Sequence, residues 1–174
     1  MFSPMTNEAA VNASDTEQSA AAAADVVVRG DGTAFLQEIS VGPYRLHADE
    51  PLSVGGTESA PDPYDYLMAG LGACTSMTVG LYARKRKWPL EDVTVALRRK
   101  RIHANDCADC DTKDGMLDHI DLEVKISGPL TDSQRETLMS IAQKCPVHRT
   151  LKSEIKITVR PADAEPTSTA AATK

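Results

Sequence analysis

Asp62-Pro63-Tyr64-Asp65-Tyr66-Leu67-Met68-Ala69-Gly70-Leu71-Gly72-Ala73-Cys74-Thr75-Ser76-Met77-Thr78-Val79-Gly80-Leu81-Tyr82-Ala83-Arg84-Lys85 is the stretch on which the fold turns. An acidic residue followed by proline opens it, as at a helix N-terminus, where proline's missing N–H costs nothing. Leu67, Leu71, Cys74, Thr78 and Leu81 then recur at spacings of four, three, four and three, which predicts one apolar helix face. On this reading Cys74 points inward with the leucines. The helix continues to about Lys85, and Trp88-Pro89-Leu90 breaks it.

Upstream of this helix, Val26 to Val28 and Phe35 to Val41 read as strands separated by Gly30-Asp31-Gly32. Gly42-Pro43 is a turn, Tyr44 to Ala48 a third strand, and Asp49 to Pro61 a loop. Downstream, Val93, Val95 and Leu97 alternate with other residues, and the strand runs on through Arg98 to Arg101 towards Ile102 and His103. After a polar insertion from Asn105 to Gly115, Ile120, Leu122, Val124 and Ile126 alternate strictly with Asp121, Glu123 and Lys125. Thr131 and Asp132 cap a second helix carrying Leu138, Ile141 and Ala142 and ending before Cys145-Pro146. Ile155, Ile157 and Val159 suggest a last strand. The order βββ-α-ββ-α-β, with antiparallel pairing, predicts an α+β domain over residues 25–160.

The composition narrows the function. The chain has 174 residues and a net charge of −6, and only 4% of its residues are aromatic. Acidity and few aromatic platforms argue against nucleic acid as partner, and no apolar run is long enough to span a bilayer. Residues 1–24 lack Lys and Arg and read as a disordered arm, as do residues 161–174 at the other end. These ends carry much of the negative charge and leave the middle close to neutral. With no export signal read, the expected location is cytoplasmic, where cysteines are more often catalytic, metal-binding or buried than permanently paired.

The chain has four cysteines. Cys145 precedes Pro146 at the start of a new turn, where unsatisfied backbone N–H groups and nearby cations favour a thiolate. Pattern alone favours Cys74 as a small core residue and Cys145 as an incidental thiol. Within His103-x3-Cys107-x2-Cys110 the two cysteines have metal-ligand spacing, and Cys145 and His148 could join them in a four-ligand zinc site. The same C-x-x-C is also a dithiol motif, and a ligand-free surface loop is a third reading. The basic runs 84–87 and 98–101, Arg45, and Asp49-Glu50 read as solvated charge.

Gly56-Thr57, Asp62-Pro63-Tyr64-Asp65-Tyr66-Leu67, Gly72-Ala73-Cys74-Thr75-Ser76-Met77 and Cys145-Pro146-Val147-His148 together resemble the OsmC/Ohr family of osmotically inducible and organic hydroperoxide resistance proteins. Trp88-Pro89-Leu90 and the His103–Cys110 loop are similar to one branch of it. The resemblance implies antiparallel sheets packed on two long central helices in an intertwined homodimer. It also implies a thiol peroxidase for organic hydroperoxides, with Cys74 peroxidatic, Cys145 resolving, a small dithiol or lipoyl-type reductant, and no cofactor required. The family's activating Glu would fall at Tyr64, ten residues before Cys74, so Asp65 is taken as the acid, with Glu58 beside it as alternative. Arg45 is taken as the cation, with Arg149 as second choice. The rival expectations are a zinc-stabilised protein, with ligands among His103, Cys107, Cys110, Cys145 and His148, and a small-molecule carrier without peroxidase activity.

Overall fold

The computed structural model describes residues 24–108 and 110–162 and has an α+β architecture. The terminal arm and tail expected from the sequence lie almost wholly outside the described residues. Two compact units divide the chain at Ala69/Gly70.

In the first unit, β1 (Val27–Arg29), β2 (Gln37–Val41) and β3 (Tyr44–Ala48) form an antiparallel meander. Its register pairs Val27 with Ser40, Ile39 with Leu46 and Val41 with Tyr44. The β1–β2 turn is closed by the Asp31 carboxylate, which accepts from the Thr33 and Ala34 N–H groups; the Thr33 bonds chiefly hold this carboxyl below its usual range. Few residues here are buried: Ala48, Asp49 and Gly56 among those described.

Asp49 overturns its reading as exposed turn charge. It is buried, and its carboxylate accepts from the Thr57 hydroxyl, from the Glu50, Thr57 and Ser59 N–H groups, and from the Ser59 hydroxyl. These donors hold it well below the usual carboxylate range, the Thr57 hydroxyl most of all. One side chain thus organises the loop leading to α1 (Pro63–Arg86).

Helix α1 ends in a Schellman arrangement, with Trp88 N–H donating to Ala83 O (2.9 Å) and Lys87 N–H to Arg84 O (3.1 Å). Lys87 therefore takes a left-handed conformation, φ 56°, at a position glycine usually fills.

In the second unit, β4 (Asp92–His103) and β5 (Met116–Ser127) form a long hairpin in unbroken register, from Asp92 opposite Ser127 to His103 opposite Met116. α2 (Asp132–Ala142) begins with a capping box between Thr131 and Gln134, and α3 (Pro146–Leu151) follows. The core gathers Val79, Ala83, Leu130, Leu138 and Ala142, with Trp88, Val93, Val124 and Ile126 packed around it. Gly72 lets α1 approach the sheet closely: a Cβ there would stand 2.8 Å from Leu97 Cδ1.

Two expectations change. The buried positions of α1 are Leu71, Gly72, Thr75, Val79 and Ala83; of the expected face Leu67, Leu71, Cys74, Thr78 and Leu81, only Leu71 is buried. Gly72 and Thr75 lie off the leucine-spaced face, yet the close approach of the sheet selects small side chains there. Leu67 and Leu81 are exposed and Cys74 is half-buried. The second change is the last strand, since residues 154–160 pair with no strand among those described. Ile155, Ile157 and Val159 are 52%, 81% and 93% exposed. Alternation of this kind reports a side chain's need for cover, and no described segment of this chain supplies it.

Candidate functional site

Cys145 lies where Pro146 starts α3. Its extended backbone (φ −63°, ψ 146°) makes it the N-cap, and its Sγ accepts from the His148 N–H at 3.3 Å. The Thr75 hydroxyl donates to the same sulfur at 3.4 Å, and both side chains are fully buried. Thr75 follows Cys74 on α1, so the residue beside one free thiol touches the other. Cys74 is held in a regular helix, with its carbonyl accepting from the Thr78 hydroxyl (2.7 Å). It sits where the buried face meets an exposed apolar stripe that includes Met77 and Leu81.

The other candidates are occupied locally. Arg45 donates to the carbonyls of Gly42 and Tyr44, both at 3.0 Å, within its own hairpin. Asp65 N–H donates to the Asp62 carboxylate (2.9 Å) while the Asp65 carboxylate accepts from Asp62 N–H (3.2 Å), so this pair caps α1. Glu58 accepts from Leu52 N–H (3.3 Å). Arg149 is exposed, and its N–H donates to Cys145 O at 3.1 Å.

Cys107 and Cys110 are joined as a disulfide, and His103 Nδ1 accepts from Asn105 N–H (3.2 Å) to cap a short 3-10 turn. A zinc ion on Cys107, Cys110, His103 and His148 would need that disulfide opened, because metal ligation takes the thiolate. Among the described residues, no three His, Cys, Asp or Glu side chains gather as a cation's ligands. Cys107, Cys110 and His148 nevertheless share the wall of one cavity of about 430 Å³, with Leu71, Leu117 and Ile120.

The basic runs are solvated in part only. Arg98 pairs with Glu123 on the open sheet face (3.0 Å), whereas the less exposed Arg99 holds Asp118 at 2.7 Å. Arg86 lies over the Tyr82 ring at 5.4 Å. Sequence reasoning missed Thr75 as a partner of Cys145, because no spacing rule links residues seventy apart.

A family profile described as OsmC-like protein matches residues 56–160. Solved structures of similar fold include an organic hydroperoxide resistance protein OsmC from Legionella pneumophila, 23% identical with a TM-score of 0.55, covering 73% of this chain and 87% of that one. An OsmC-like protein from Mycoplasma pneumoniae is 19% identical with a TM-score of 0.57, covering 74% and 86%. An organic hydroperoxide resistance protein from Elizabethkingia anophelis is 18% identical with a TM-score of 0.56, covering 75% and 89%. No curated protein matches the chain.

Proposed function

The chain belongs to the OsmC-like family, and from that premise we propose that it is a thiol-dependent peroxidase of organic hydroperoxides, serving oxidative stress defence. The observation that carries this reading is the Thr75–Cys145 contact, which sets the buried thiol beside the residue that follows Cys74. The names of the Legionella and Elizabethkingia proteins point to the same substrate class.

The Cys74 thiolate attacks the terminal oxygen of the hydroperoxide, the O–O bond breaks, and the alkoxide leaves and takes a proton to become an alcohol. Cys74 is left as a sulfenic acid. The Cys145 thiolate then attacks the Cys74 sulfur, a disulfide forms, and water leaves. An external dithiol restores both thiols by exchange. The His148 N–H and the Thr75 hydroxyl both donate to Cys145 Sγ and fix its position. Met77 and Leu81, exposed near Cys74, favour an alkyl peroxide over hydrogen peroxide, since apolar groups gain from leaving water. No metal or organic cofactor takes part in these steps.

The working form in this proposal is a homodimer in the cytoplasm, whose reducing conditions suit the cycle. Its support is apolar surface without cover: Met77 is 70% exposed on α1, and Ile155, Ile157 and Val159 line an unpaired extended segment. A second copy could pair with that segment as an added strand. No helix among the described residues is long and apolar enough to cross a membrane.

Turnover of cumene hydroperoxide with a dithiol reductant tests the chemistry. Cys74→Ser abolishes turnover, and Cys145→Ser drives Cys74 to sulfinic or sulfonic acid. Turnover surviving in Cys74→Ser would refute the mechanism.

A further inference from the structure

The Cys107–Cys110 disulfide has no part in the cycle above, and three observations give it one. First, it closes a loop of only three residues' separation, so it restrains little of the unfolded chain and adds little as a staple. Second, both cysteines are partly accessible and line the cavity of about 430 Å³, whose wall includes the apolar Leu117, Ile120 and Leu151. Third, His148 lines the same cavity and is also the residue whose N–H touches Cys145 Sγ. Cys145 itself is fully buried, so a thiol in solution has no direct approach to it in this conformation. The C-x-x-C pair and the resolving sulfur thus share His148 as a neighbour.

Resting on the peroxidase reading, we propose that Cys107 and Cys110 are a second redox pair, which takes electrons from a small apolar dithiol at this cavity and passes them to oxidised Cys145. One thiolate of the reduced pair attacks Cys145 Sγ; a mixed disulfide forms and Cys74 leaves as its thiolate. The second cysteine of the pair then attacks the first. The Cys107–Cys110 disulfide forms and Cys145 leaves as its thiolate, so two electrons have moved. Two further exchanges with the external dithiol reduce the C-x-x-C pair and oxidise that dithiol to its disulfide. Cations accompany the pair: Lys113 donates to the Cys110 carbonyl (2.7 Å) and Lys152 lines the cavity, while Asp118 there is engaged by Arg99 (2.7 Å).

The test counts hydroperoxide. Fully reduced full-length protein, freed of reductant, is given cumene hydroperoxide, and the amount consumed per chain is measured with mass-spectrometric mapping of the disulfides. A relay predicts about two equivalents for the wild type, from four thiols, and about one for Cys107→Ser and for Cys110→Ser. It also predicts that one equivalent leaves the wild type with a Cys107–Cys110 link and a free Cys74, and that the pair stays reduced in Cys74→Ser. One equivalent consumed by the wild type, or oxidation of the pair in Cys74→Ser at the wild-type rate, would overturn the relay and leave the peroxidase reading standing. No consumption by any form would overturn both. Should the serine variants lose all consumption through misfolding, the wild-type one-equivalent product decides alone.

Discussion

At the residue scale, the candidate site depends on small polar contacts. Thr75→Val keeps the shape but removes the donor to Cys145. The predicted effect is a slower disulfide-forming step, roughly tenfold, as expected for a hydrogen bond to a group carrying charge. Rapid-mixing measurement of Cys145 thiol loss checks it, and an unchanged rate would mean the contact only packs. Asp49 gives a pH prediction. Its folded carboxyl titrates below its unfolded value, so its contribution to stability is full above pH about 4 and is lost only as pH falls further, through the folded value. Asp49→Asn should therefore lower the Tm at neutral pH, with the gap to wild type closing in strong acid. A gap that persists below that range would assign the effect to shape rather than charge. The placement of Cys145 as a helix cap was legible in its sequence because Cys-Pro is a local signal. Its partner Thr75, seventy residues away, was not, nor was the burial of Asp49, whose donors come from Glu50, Thr57 and Ser59 of a loop that carries no periodic signal.

At the element scale, most of the architecture could be read from local chemistry. The Thr131 cap, the strict alternation of β5 and the proline-opened α1 each carry their own signal, and each forms. Thr131→Ala should destabilise the protein by about 1 kcal/mol, by removing the acceptor for the Gln134 N–H. Lys87→Gly should do the reverse, stabilising by about 1 kcal/mol, because glycine takes the left-handed conformation without strain. Chemical denaturation measures both, and opposite signs would refute the cap assignments. What the sequence misled on was the buried face of α1. Counting leucines picks the exposed Leu67 and Leu81, whereas the sheet packs where Gly72 and Thr75 leave room. Apolar spacing locates a helix; close packing chooses its face.

At the scale of the whole molecule, the apolar surface without cover is the property to be explained. Ile155, Ile157 and Val159 were read as a strand, and their alternation remains a strand's pattern although no described segment pairs with them. In the proposed homodimer these residues find cover on a second chain. Ile157→Asp should then shift sedimentation from dimer to monomer while far-ultraviolet circular dichroism stays nearly unchanged. A wild type that sediments as a monomer would remove the dimer from the account.

The central claim is that Cys74 and Cys145 form one redox pair, and disulfide mapping tests it most directly. Reduced protein is treated with two equivalents of cumene hydroperoxide, free thiols are blocked, and the digest is read by mass spectrometry. The account predicts a Cys74–Cys145 link with matching loss of peroxide. Free Cys74 and Cys145 thiols after that treatment would contradict it, leaving a family fold without the chemistry proposed for it.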